Sequence, residues 1–144
     1  LAETIDNVVF TQWDLLDLEE KYHEYTDSLS SLSVLEHFWL GRYGDSIDAY
    51  WYLKWINAVH NMLKKWWIFY CSLPIWPQRI EFNAHRAFSV QYLLWIFDPL
   101  FTVVSYSYVD DTWKFFSNVP LTQENIANNY WCQFGNGIFV LQKK

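Results

Sequence analysis

Glycine occurs four times in these 144 residues, fewer than tryptophan, which occurs ten times. Glycine lets backbones approach closely and lets loops turn around phosphates, so its scarcity weighs against a nucleotide-cradling loop. The matching signatures are missing as well. No G-x-G-x-x-G, G-x-x-x-x-G-K-[ST], G-x-S-x-G, H-E-x-x-H or C-x-x-C pattern occurs anywhere in the chain. Cysteine is limited to Cys71 and Cys132, too few for a disulfide scaffold; both are expected as free, buried thiols. Charge is sparse at 18% of residues, below the usual share of about a quarter. No N-x-[ST] acceptor is present, and the acidic start Leu1-Ala2-Glu3 offers no basic region of a signal peptide.

The longest apolar stretch, Ala87–Val109, is broken by Asp98-Pro99 and diluted by Ser89, Gln91, Ser105 and Ser107. It reads as two buried strands, so no membrane span is expected. The negative charge lies in the first part of the chain. Residues 1–50 hold eleven acids against Lys21 and Arg42, a balance of −9, while the rest carries +3. That distribution argues against a nucleic-acid partner, which needs clustered Lys and Arg.

What is present in excess is ring surface: ten Trp, ten Tyr and eleven Phe. A single domain of this length needs fewer for an ordinary core. The surplus rings therefore lie on the surface or surround a cavity.

The period of the apolar residues changes along the chain. Leu15, Leu18, Tyr22, Tyr25 and Leu29 follow helical spacing after a start near Thr11 or Asp14. Ser33-x-x-Glu36 matches a capping box opening a short second helix closed by Gly41 and Gly44. A third helix is predicted from Asp45 or Ser46 to about Tyr70, with Lys54, Asn57, Asn61, Lys64 and Lys65 as its polar stripe. Beyond Pro74 and Pro77 the pattern alternates. Strands are predicted over Arg79–Asn83, Arg86–Tyr92, Phe101–Val109, Thr112–Phe116, Tyr130–Phe134 and Ile138–Gln142. Asp110-Asp111 and Gly135-Asn136-Gly137 supply the turns, and Pro120–Asn128 a helical turn. The fold class expected is α+β over residues 1–144, with three N-terminal helices packed on a curved antiparallel sheet of five to six strands. That order of elements resembles cone-shaped folds of the nuclear-transport-factor-2 type, an analogy of architecture that implies no activity.

Histidines 23, 37, 60 and 85 show no metal-ligand spacing, so neither metal nor cofactor is expected. His60 borders the apolar face of the third helix. Asp98 is the only charge between Arg86 and Asp110. It is either a buried acid suited to proton transfer or the first residue of a surface turn. Tyr92, Trp95, Tyr106, Tyr108 and Trp113 fall on strands expected to be neighbours, facing the helix that bears Trp51 and Trp55. Together with His60 and Asp98 these nine form the candidate ligand-binding set. The function expected is binding of a small apolar molecule in an aromatic-lined cavity, with proton-transfer catalysis as a variant. The alternatives are an interaction or homodimer surface built on exposed rings, and an artificial sequence with no selected activity.

Overall fold

The computed structural model describes residues 5–10, 14–42 and 44–144. Among the described residues seven strands and three short helices follow one another as β1 (Thr26–Leu32), α1 (Trp51–Met62), β2 (Leu63–Ile75), β3 (Arg79–Glu81), β4 (His85–Ala87), α2 (Val90–Phe97), β5 (Phe101–Val109), β6 (Phe115–Phe116), α3 (Gln123–Ala127) and β7 (Gly135–Lys143). The main sheet has the order β1-β2-β7-β5-β6, and β3 pairs with β4 as a separate ribbon. β1 runs parallel to β2, whereas β7 is antiparallel to both β2 and β5. Hence β1, β2 and β5 point the same way, and their carboxyl ends share one edge of the sheet.

This corrects the expected architecture. The sheet is mixed rather than antiparallel, and three N-terminal helices do not form. The stripe read as a first helix contains only a 3-10 turn at Glu20–Tyr22 before the chain enters β1; Thr11 lies outside the described residues. β1 is polar because it is an edge strand among the described residues. The Ser33-x-x-Glu36 segment forms turns. α1 stops at Met62 and the chain continues directly into the thirteen residues of β2. Ile68, Phe69 and Tyr70 are strand-forming residues, and their pairing with β1 on one side and β7 on the other outweighs continuation of the helix. Tyr92 is helical: the Ser89 hydroxyl accepts from its backbone N–H at 3.1 Å and caps α2.

The Gly135-Asn136-Gly137 turn is likewise corrected, because these residues begin β7. The glycines are required by packing. A Cβ at Gly135 would fall 2.7 Å from Cys132 Sγ and 2.9 Å from the Val109 carbonyl oxygen; one at Gly137 would fall 2.8 Å from Ile75. Tyr130–Phe134 is no strand but carries a 3-10 turn at Asn129–Trp131. The predicted Phe101–Val109 strand coincides with β5.

One face of the sheet carries the core. Trp55 of α1 packs on Phe69 with ring centroids 6.0 Å apart, and Phe97 of α2 meets Phe139 at 5.5 Å. Tyr130 covers Tyr106 on the same face at 5.1 Å. The segment between β1 and α1 is tied to β4 by Arg86, which is 3% exposed and donates to the Phe38 carbonyl at 2.6 Å and the Asp48 carbonyl at 2.9 Å. Both cysteines are free and buried. No described helix is long and apolar enough to cross a membrane.

Candidate functional site

Open α/β sheets bind ligands beyond the carboxyl ends of their parallel strands. At that edge lies a cleft of about 290 Å³ lined by Pro74, Trp76, Val109, Asp110, Asp111, Trp113, Phe134, Gly135 and Asn136. Its walls come from the end of β2, the end of β5 and the start of β7. These segments meet because β7 lies between β2 and β5: Ile75 pairs with Gly135, and Val109 with Asn136.

Each wall is held in place. Trp76 donates its indole N–H to the Gly135 carbonyl at 3.0 Å, and its ring meets Phe134 at 5.1 Å. Opposite, Asp110 organises a tight turn. Its Oδ1 accepts from the Thr112 N–H at 2.8 Å, the Thr112 hydroxyl at 2.7 Å and the Lys114 N–H at 3.0 Å. These bonds, the Thr112 hydroxyl foremost, hold the Asp110 carboxyl below the usual carboxylate range. The turn places Trp113 at φ 64° with its side chain 89% exposed. A bulky residue in the left-handed region is strained, a strain shared by Trp39, Trp66, Tyr130 and Trp131, which do not line this cleft. Asp111 ties this turn to the segment before β7, accepting from the Gln133 N–H at 2.9 Å and the Phe134 N–H at 2.8 Å.

Of the nine residues singled out in the sequence, Trp113 alone lines this cleft. Tyr106 and Tyr108 also lie on β5, but Tyr106 is buried against Phe139 at 4.8 Å and Tyr108 stacks on Phe116 at 4.7 Å. Trp51 and Trp55 are core residues of α1, and Trp51 stacks on Trp39 at 5.9 Å. His60 packs edge-on against Phe101 at 5.6 Å. The Tyr92 hydroxyl bonds that of Tyr52, and Trp95 is exposed. Asp98 is an exposed residue at the end of α2, paired with Lys144 at 3.5 Å, which is the surface-turn alternative. The sequence reading missed Trp76, Phe134, Asp111 and Asn136 as wall residues. Asp110-Asp111 stood out only as a hairpin, and nothing in the sequence marks Trp76.

Behind Trp76 lies a second group. The His85 ring meets the Trp76 ring edge-on at 4.8 Å and lies 6.0 Å from His37. His37 reaches the Ala84 carbonyl oxygen at 2.9 Å through Nδ1 and the Glu36 carboxyl at 3.7 Å through Nε2. Glu36 is 2% exposed, and its Oε2 has no hydrogen-bond partner. Burial raises its pKa, so its proton is held to higher pH than on an ordinary Glu. The thiols offer no nucleophile: burial pushes Cys132 up to about 11, and Cys71 well above the thiol range. Among the described residues no group of three His, Cys, Asp or Glu is placed to hold a metal ion.

Residues 5–144 match the protein family described as Caenorhabditis protein of unknown function, DUF268. No curated protein matches the chain. Several solved structures share its fold. The 1,6-didemethyltoxoflavin-N1-methyltransferase of Burkholderia thailandensis, solved with S-adenosylhomocysteine, is 15% identical with a TM-score of 0.57; the match covers 90% of this chain and 48% of that one. A SAM-dependent methyltransferase of Archaeoglobus fulgidus is 14% identical with a TM-score of 0.57, over 93% of this chain and 66% of that one. The [4+2]-cyclase SpnF is 12% identical with a TM-score of 0.60, over 93% and 56%. The chain thus spans about half to two thirds of the length of these three structures. Their Rossmann-like architecture, and not a nuclear-transport-factor-type cone, is the fold it shares.

Proposed function

For this chain, which belongs to the DUF268 family, we propose a small-molecule-binding role of the kind carried by methyltransferase-like folds, with the ligand in the cleft between Trp76 and Trp113. The observation that supports it most is the cleft's place. It sits at the carboxyl edge of the parallel strands, with the exposed Trp113 in its lining. Family membership leaves the artificial-sequence reading without support.

Methyl transfer itself is a narrower matter. The donor in methyltransferases of this fold is S-adenosylmethionine, and the residues present do not make a complete cradle for it. Among the described residues no glycine-rich turn runs directly from a strand into a helix: Gly41 and Gly44 lie midway along the connection between β1 and α1, and Gly135 and Gly137 lie inside β7. The order of the parallel strands β1, β2 and β5 never reverses, so the cleft shares the carboxyl edge with the sites of such folds but does not lie at a switch point. No transfer step is assigned to these residues. A shared fold also hosts different reactions, as the cyclase illustrates.

The test is a fragment panel of neutral, acidic and basic compounds, read through the indole N–H resonances in a ¹H–¹⁵N spectrum. Saturable shifts at Trp76 and Trp113 are expected for at least one class. A panel that moves neither indole overturns the reading.

A second reading, self-association, rests on the other face of the sheet, where Leu32, Tyr70 and Trp66 are exposed. A mass in sedimentation that stays monomeric at every concentration removes it.

A further inference from the structure

We infer that the cleft takes an alkylated ammonium cation, seated among the rings of Trp76, Trp113 and Phe134 with the carboxylates of Asp110 and Asp111 as counter-charge. This rests on the small-molecule reading above and names its substrate class.

The lining decides between ligand classes. It combines three large rings with two carboxylates and contains no Lys, Arg or His. An anion would meet two negative charges at short range. A neutral apolar guest would strip water from those carboxylates and return nothing to them, an unfavourable burial of charge. A bare ammonium ion is strongly hydrated and exchanges that hydration poorly for ring faces. An alkylated ammonium carries the positive charge on a weakly hydrated apolar shell, and aromatic walls bind that chemistry through ring quadrupoles.

The surroundings agree with this choice. Trp76 already holds a cation from outside the cleft: the Arg79 guanidinium sits 4.7 Å from its ring centroid. Arg79 is itself neutralised by Glu81, Nε to Oε1 at 2.5 Å, so it adds little repulsion toward a guest. The Lys114 ammonium lies over the Phe116 ring at 4.9 Å and its charge also acts on Asp110, so Asp111 is the less compensated of the two carboxylates. Among the described residues no cation lies over the ring of Phe134 or Trp113, and both are exposed. The carboxylates are fixed in position, because backbone N–H groups hold Asp110 and Asp111 as described above. Such a site attracts a cation without reorganising, which is how preorganised sites gain affinity.

The experiment compares choline with 3,3-dimethylbutan-1-ol, its neutral isostere, by titration against the ¹⁵N-labelled protein. The expected result is saturable movement of the Trp76 and Trp113 indole resonances, with choline binding about tenfold more tightly than the alcohol. Trp113→Ala is expected to weaken choline about fivefold and leave the alcohol nearly unchanged. Trp113 is exposed, so this variant keeps its fold. Asp110→Asn keeps an oxygen for the turn and is expected to weaken choline selectively, more so at low salt. Equal affinity for the two probes overturns the cation inference while leaving a small-molecule cleft in place. Choline that moves neither indole also overturns it. The broader reading falls only if the fragment panel is silent as well.

Discussion

Arg86 is the residue whose removal tests the described packing most sharply. It is the fork that fastens the segment between β1 and α1 onto the β3–β4 ribbon, donating to the Phe38 and Asp48 carbonyls. Hydrogen bonds from a charged donor contribute roughly 1.5–3 kcal/mol each, so the two together supply about 3–6 kcal/mol. Against this stands the cost of burying the guanidinium. Its Nε has no partner, a penalty of about 1–3 kcal/mol, and desolvation lowers its pKa. Arg86→Met should therefore destabilise the protein by about 2–4 kcal/mol, the upper part applying if the freed carbonyls stay dry.

Urea unfolding followed by tryptophan fluorescence measures this directly, with the shift in midpoint read at constant slope. Arg86→Lys is the informative companion. A lysine keeps the charge but offers a single ammonium in place of a planar fork, and so should recover less than half of the loss. If Lys restores full stability, charge alone was acting and the fork argument is wrong. If Met costs under about 1 kcal/mol, the two carbonyls find water easily and the segment is not clamped as described.

Three further expectations follow. Gly135→Ala should destabilise by about 2 kcal/mol or more, because the new Cβ meets the Val109 carbonyl oxygen and Cys132, and backbone cannot yield cheaply; an unchanged urea midpoint refutes it. Tyr106→Phe should be neutral or stabilising by about 1 kcal/mol, since the buried hydroxyl has no partner and loses only its desolvation cost; a clear loss of stability would show that the hydroxyl is bonded after all. Burial lowers the imidazole pKa of His60 and of His85 below the ordinary 6.5. The native state then binds fewer protons than the unfolded one, so their contribution is present above pH 6.5 and is lost as pH falls through the folded values. Glu36, raised by burial, acts with the opposite sign from its ordinary 4.5 upward. The double variant His60→Gln, His85→Gln should accordingly lose less stability between pH 7.5 and 5.5 than the parent, and an equal loss would refute the assignment.

What could be read from the sequence follows from how local each signal is. β5 matches its predicted bounds because its signal lies in consecutive residues and it ends at an Asp-Asp turn. The body of α1 was readable for the same reason: Trp51, Trp55, Ile56, Val59 and Met62 recur at helical spacing and are all buried, although the helix opens at Trp51 rather than at Asp45 or Ser46. Its end was not. No glycine or proline marks the step from Met62 to Leu63, and the pairing of Ile68–Tyr70 with a strand on either side is what makes that part of β2 extended. Gly135 and Gly137 show a related ambiguity. A glycine that permits a turn and one that admits a neighbour's side chain look alike in one dimension, and Cys132 and Ile75 decide between them. The cleft was hidden for a topological reason. Trp76, Trp113 and Phe134 are distant in sequence and come together because β7 runs between β2 and β5 in the opposite direction. Trp113 was nevertheless picked out as a hairpin aromatic, the one feature of the site that is local. The polar partners that give the cleft its charge, Asp110 and Asp111, read as an ordinary solvated turn until the start of β7 is laid beside them. Chemistry at the carboxyl edge of such a sheet is assembled by strand order, so a single unaligned sequence reveals its pieces before it reveals that they belong together.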